Sequence, residues 1–179
     1  MMEEKLTIRE EVWYEQFDLM QHKLERWKNG LISKSGMRHI CRCFYESIGK
    51  TKTGWESQQA LLKDSKTTDD HAFIPQFIGR MIMDMGDVYL TDFNKYKELC
   101  EFACQTIKVT KSENNLLSKQ TPTIMDLGDG YTFLECSIQD KYDELGITLW
   151  NKGLGTFAMD GFPITVPQEI LDYEAQFLK

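Results

Sequence analysis

Thr7-Ile8-Arg9-Glu10 has the spacing of a capping box, with Thr7 at the N-cap and Glu10 three residues on. Behind it, apolar residues recur at Trp13, Phe17, Met20, Leu24, Trp27 and Leu31, in alternating steps of four and three. That spacing predicts one long amphipathic helix ending near Asn29-Gly30. A stripe of this length has to be covered, either by the chain's own core or by a partner copy.

The rest of the chain can supply a core. Its 179 residues, 41% of them hydrophobic, suit one folded domain that needs no disulfide staples. No stretch approaches the roughly 20 apolar residues of a membrane span, and Met1-Met2-Glu3-Glu4-Lys5 lacks the features of a signal peptide. The expectation is a soluble, cytoplasmic protein. Five cysteines, at 41, 43, 100, 104 and 136, form neither a disulfide framework nor a C-x-x-C ribbon. They read as buried free thiols, with a zinc site built from Cys41, Cys43, Cys100 and Cys104 as the alternative.

Further elements follow in order. Ser35-Gly36 opens a second helix, through Met37, Ile40, Cys41, Phe44, Tyr45 and Ile48, which Gly49 stops. With the first helix it makes a helical hairpin, and Arg38, His39 and Arg42 on it also allow a helix-turn-helix reading. Residues 50 to 68 read as a polar linker with a short helical piece near Trp55 to Leu62. A short strand then ends in Asp69-Asp70-His71, and Pro75 begins a helix that Gly86 ends. Asp92 caps another helix, residues 106 to 110 form a strand, and Ser112 caps a short helix carrying Asn114 and Asn115. Gly128-Asp129-Gly130 marks a turn before a strand from Tyr131 to Cys136. Residues 140 to 145 look helical, 147 to 150 extended, and Pro167 starts a terminal helix.

The predicted fold class is α+β, mainly helical, with a small antiparallel hairpin and helix behind an N-terminal helical hairpin. The regions are 1–53, helical; 54–125, a ββα-like core with inserted helices; and 126–179, an α+β extension, all in one compact unit.

Candidate chemistry centres on residues 69 to 75 and 106 to 119. A carboxylate at Asp70 and an amide at Asn114 (or Asn115, if the helix phase differs by one) are hard oxygen donors suited to Mg²⁺ or Mn²⁺. His71 projects to the other side of an extended backbone, free to act as a general base on water. The bland alternative has Asp69 and Asp70 capping the following turn, with one of them satisfying His71. Asp70-His71-Ala72-Phe73-Ile74-Pro75 resembles the D-H-x-x-x-P element of the HNH, or ββα-metal, nucleases, and Val109 to Lys119 is similar to their strand-then-helix end. Small phage proteins of that family are the nearest comparison. The resemblance implies a metal-dependent endonuclease hydrolysing DNA, with Asp70 and Asn114 as metal ligands and His71 as general base. The chain departs from the pattern in lacking a middle Asn and in the 43 positions between His71 and Asn114.

Charge speaks to both enzymatic and non-enzymatic readings. The net charge of −7 disfavours nucleic acid, yet residues 22 to 53 hold eight Lys or Arg against two Glu, a local +6. Arg38 and Arg42 in that segment, and Arg80 beyond it, are the candidate phosphate contacts. The alternative function is a non-enzymatic interaction protein that uses its N-terminal amphipathic helix to bind a protein partner or itself.

Overall fold

The computed structural model describes residues 6–120, 137–158 and 162–177. The expected turn at Gly128 to Gly130 and the strand from Tyr131 to Cys136 lie outside the described residues. The fold is mixed α+β and mainly helical, and it contains a five-stranded sheet. No helix among the described residues is long and apolar enough to cross a membrane.

The chain divides into two compact units, one comprising residues up to Gly49 with Pro75–Cys104, the other Lys50–Ile74 with everything from Gln105 on. Helices 75–103 thus belong with the N-terminal helices, although they interrupt the strands in sequence.

The first unit holds α1 (Ile8–Lys28), α2 (Lys34–Ile48), α3 (Pro75–Asp84), α4 (Gly86–Tyr89) and α5 (Phe93–Ala103). The capping box on α1 forms as expected: Thr7 N donates to Glu10 Oε2 at 2.8 Å, and Glu10 N donates to Thr7 Oγ1 at 3.2 Å. Asp92 caps α5 through Asn94 N. The second helix begins earlier than expected, because Ser33, not Ser35, accepts the bond from Gly36 N. Trp13, Phe17 and Met20 are buried, as the stripe requires, and the Phe17 and Phe44 rings meet Tyr96 edge-on at 5.3 and 6.1 Å. Gly79 lets α3 approach α2 closely, since a Cβ there would lie 3.1 Å from the Phe44 ring. Leu31 is a correction to the stripe: α1 stops at Lys28, Gly30 takes a positive φ of 67°, and Leu31 is left exposed. Likewise α3 ends at Asp84, and Gly86 opens the short α4 instead of terminating α3.

The second unit holds β1 (Thr51–Ser57), β2 (Thr67–His71), β3 (Gln105–Thr110), α6 (Lys111–Gln120), β4 (Leu149–Asn151), β5 (Thr156–Phe157) and α7 (Gln168–Ala175). The sheet order is β2-β3-β1-β4-β5, with β1 and β3 parallel and the other neighbours antiparallel. The segment read as a linker is therefore a central strand followed by a 3₁₀ turn at Gln58–Leu61. Lys-Thr-Lys-Thr-Gly carries no buried face of its own, so pairing with β3 and β4 makes this segment a strand. Residues 138 to 145 form two 3₁₀ turns in place of a helix.

Glu10 also pairs with Lys97 on α5, and that contact, reinforced by Thr7, holds its carboxyl down to about 2. A depressed folded-state value stabilises the protein above the unfolded value and is lost as pH falls through the folded one. Glu10→Gln should therefore leave a stability gap to wild type that is constant near neutrality and closes between 4.5 and about 2, as measured by urea melts across that range.

Candidate functional site

The end of β2 carries the residues that sequence singled out. In the β2–β3 register, Asp69 stands opposite Lys108, Asp70 opposite Ile107 and His71 opposite Thr106. Paired residues share a face and neighbours alternate, so Asp70 lies on the side of buried Ile107, while Asp69 and His71 share the other side.

On its face Asp70 is engaged through one of its two carboxylate oxygens. Its Oδ2 accepts 3.0 Å from the Lys141 ammonium and 2.7 Å from the Tyr142 hydroxyl. Lys141 is 4% exposed along its side chain and also donates to the His71 carbonyl at 2.8 Å. Tyr142 is buried, and burial together with the Asp70 carboxylate pushes its phenol well above the ordinary value. Lys141 and Tyr142 escaped sequence reasoning because they lie about 70 residues away, between two 3₁₀ turns without hydrophobic periodicity.

This donor set does not fit a divalent cation. A dication on Asp70 would stand beside a buried ammonium, and charges of +2 and +1 roughly 5 Å apart repel by about 6 kcal/mol at an effective dielectric near 20. Asp69 and Asp70 do not act as caps of the following turn either: Asp69 Oδ2 faces Lys52 Nζ at 3.8 Å, and its carbonyl accepts from Lys50.

Asn114 belongs to α6, which starts at the other end of the hairpin. Lys111 N bonds to Lys66 O, just before β2, whereas Asp70 is three residues beyond Thr67, about 10 Å along the strand. The first turn of α6 is organised by Glu113, not by Ser112 as predicted. Glu113 Oε2 accepts from Ser57 Oγ at 2.7 Å and from Thr110 N at 2.8 Å, and Thr110 Oγ1 accepts from Glu113 N at 3.1 Å. Thr110-Lys-Ser-Glu113 has capping-box spacing, the local signal by which this cap could have been found in place of Ser112. Asn114 is half-buried, and its carbonyl accepts from Ser118 Oγ.

The arginines expected to bind phosphate belong to the helical unit. Arg80 is buried: its Nε donates to Asp84 Oδ2 at 2.9 Å and its guanidinium lies 4.7 Å from the Trp27 ring centre, while Trp27 Nε1 donates to the other Asp84 oxygen. Arg42 pairs with Glu46 at 2.8 Å, and Arg38 stands in the first half of α2. Cys41, Cys100 and Cys104 are buried free thiols, and burial pushes Cys41 up to about 12. Cys43 lies 3.6 Å from His39 Nε2. Among the described residues no group of three or more His, Cys, Asp or Glu is placed to hold a metal ion.

A second surface feature is on α1. At about 100° per residue, Ile8, Val12 and Leu19 fall within an arc of about 40°, roughly 110° round from the buried face. They are 83, 40 and 39% exposed. Glu11 and Glu15 flank them toward the N-terminus and Lys23 and Arg26 toward the C-terminus, and no ion pair engages these four among the described residues. Gln16, between the two faces, is buried with its Nε2 unpaired among the described residues.

The class these features define is a mixed α+β protein with a half-buried carboxylate at a strand end, ion-paired to a buried lysine, and a two-faced N-terminal helix. Comparison with protein-family models, curated proteins and solved structures finds no match to this chain.

Asp70→Asn should destabilise the fold by about 3–5 kcal/mol, because it strands a buried ammonium. The double variant Asp70→Asn/Lys141→Met should recover most of that loss in chemical denaturation; equal losses in single and double variants would count against the ion pair.

Proposed function

We propose that this chain is a non-enzymatic protein-interaction protein whose contact surface is the outward face of α1. The observation that carries this reading is the second apolar stripe, Ile8, Val12 and Leu19, on a helix whose other face is already buried in its own unit. Exposed apolar residues scattered singly need no explanation, but three in register on one helix face, bordered by charges without ion-pair partners among the described residues, have the composition of a contact surface.

The rival reading is a metal-dependent DNA endonuclease with His71 as general base and Asp70 and Asn114 as ligands of Mg²⁺ or Mn²⁺. What supports it is the element order: an antiparallel β2–β3 pair with Asp70-His71 at a strand end, followed directly by α6 carrying Asn114. What weighs against it is the Lys141 ammonium on Asp70 and the engagement of Arg80 and Arg42 by Asp84 and Glu46.

Two measurements separate the readings. In protein dilute enough to be monomeric, Val12→Asp/Leu19→Asp should change folding stability by no more than about 0.5 kcal/mol, the range for surface positions. A loss above about 2 kcal/mol would make this face part of the chain's own core and remove the interaction reading. In a plasmid-nicking assay with Mg²⁺ or Mn²⁺ the wild type should leave the DNA intact. Metal-dependent cleavage that disappears in His71→Ala and Asn114→Ala would establish the nuclease instead.

A further inference from the structure

The charge pattern of α1 selects an occupant for its outward face. On the outward face the charges without ion-pair partners among the described residues are acidic in the first half of the helix, at Glu11 and Glu15, and basic in the second, at Lys23 and Arg26, while Glu25 lies on another side of the helix. A parallel copy would bring like charges together. An antiparallel copy brings each acidic half against a basic half, twice over, by two-fold symmetry. Antiparallel packing also sets the two helix dipoles head to tail.

We propose that the partner of this face is a second copy of the same chain, joined through an antiparallel α1–α1 contact with Leu19 near the two-fold axis. This assignment rests on the reading of the chain as an interaction protein. In that register Glu15 stands opposite Lys23 of the second copy and Glu11 close to its Arg26, because residues equally far from Leu19 on the two helices meet. Val12 lies seven residues before the axis, so it packs on the aliphatic stem of Arg26 from the second copy. Gln16 stands three residues from the axis, where its unpaired Nε2 comes near the seam between the helices. Glu10, one position away, is already taken by Lys97, and Asp18 stands 3.6 Å from His22, so neither enters the contact.

The arrangement makes a test that exposed apolar residues alone do not. Sedimentation velocity over a concentration series should show wild type passing from monomer to dimer. Glu11→Lys/Glu15→Lys and Lys23→Glu/Arg26→Glu, each with an unchanged far-UV circular dichroism spectrum, should weaken self-association on the order of a hundredfold. Mixed in equal amounts, the two variants carry a wholly basic and a wholly acidic seam and should form a heterodimer. The fourfold variant, with all charges exchanged within one chain, should again dimerise with itself. Wild type that stays monomeric throughout, or dimers indifferent to every reversal, would overturn the proposal. Either result leaves the interaction reading to stand or fall on the nicking assay and on the stability measurement made on dilute, monomeric protein.

Discussion

The Asp70 carboxylate, held by the Lys141 ammonium and the Tyr142 hydroxyl, decides how the end of β2 can be used. An ammonium as buried as that of Lys141 needs a counter-charge, and Asp70 with the His71 carbonyl supplies both charge and hydrogen bonds. In return the pair fixes the turns at Lys141 and Tyr142 to the strand, near Phe162, which stacks on the Tyr142 ring and meets Phe73 edge-on. A carboxylate in that position is a structural counter-ion, so a cation site there would have to displace its partner.

The helical unit shows the complementary situation. A 21-residue helix presents more surface than one neighbouring layer covers, and the large aromatic residues of α1 claim one side only. Trp13, Phe17 and Met20 meet the core, Trp27 covers the buried Arg80 and bonds its partner Asp84, and Lys28 and Lys97 pair with Asp87 and Glu10 at the two ends of the helix. The remaining side keeps apolar residues and charges that no ion pair among the described residues uses.

Elements whose signals are local were legible in the sequence. The Thr7/Glu10 box, Asp92 before α5, Pro75 at the head of α3 and the alternation of β3 are each decided within a few residues. The central strand β1 was not legible, because it opens on polar Thr-Lys-Thr-Gly and owes its conformation to partners about 50 and 100 positions away. The candidate site fared likewise. The strand end at Asp69-Asp70-His71 could be read, but the partners of Asp70 depend on tertiary contacts that no spacing encodes. The second face of α1 was hidden for a different reason: Trp13, Phe17, Met20, Leu24 and Trp27 dominate the periodicity, and three smaller residues 110° away only soften it.

The proposed interaction role requires that the Asp70–Lys141–Tyr142 contact keep a metal ion from the end of β2. Paramagnetic broadening by Mn²⁺ in amide NMR spectra tests this most directly. Uniform, weak broadening at exposed carboxylates is the result expected here. Selective loss of the Asp70, His71 and Asn114 amide signals at low Mn²⁺, reversed by Mg²⁺, would contradict it.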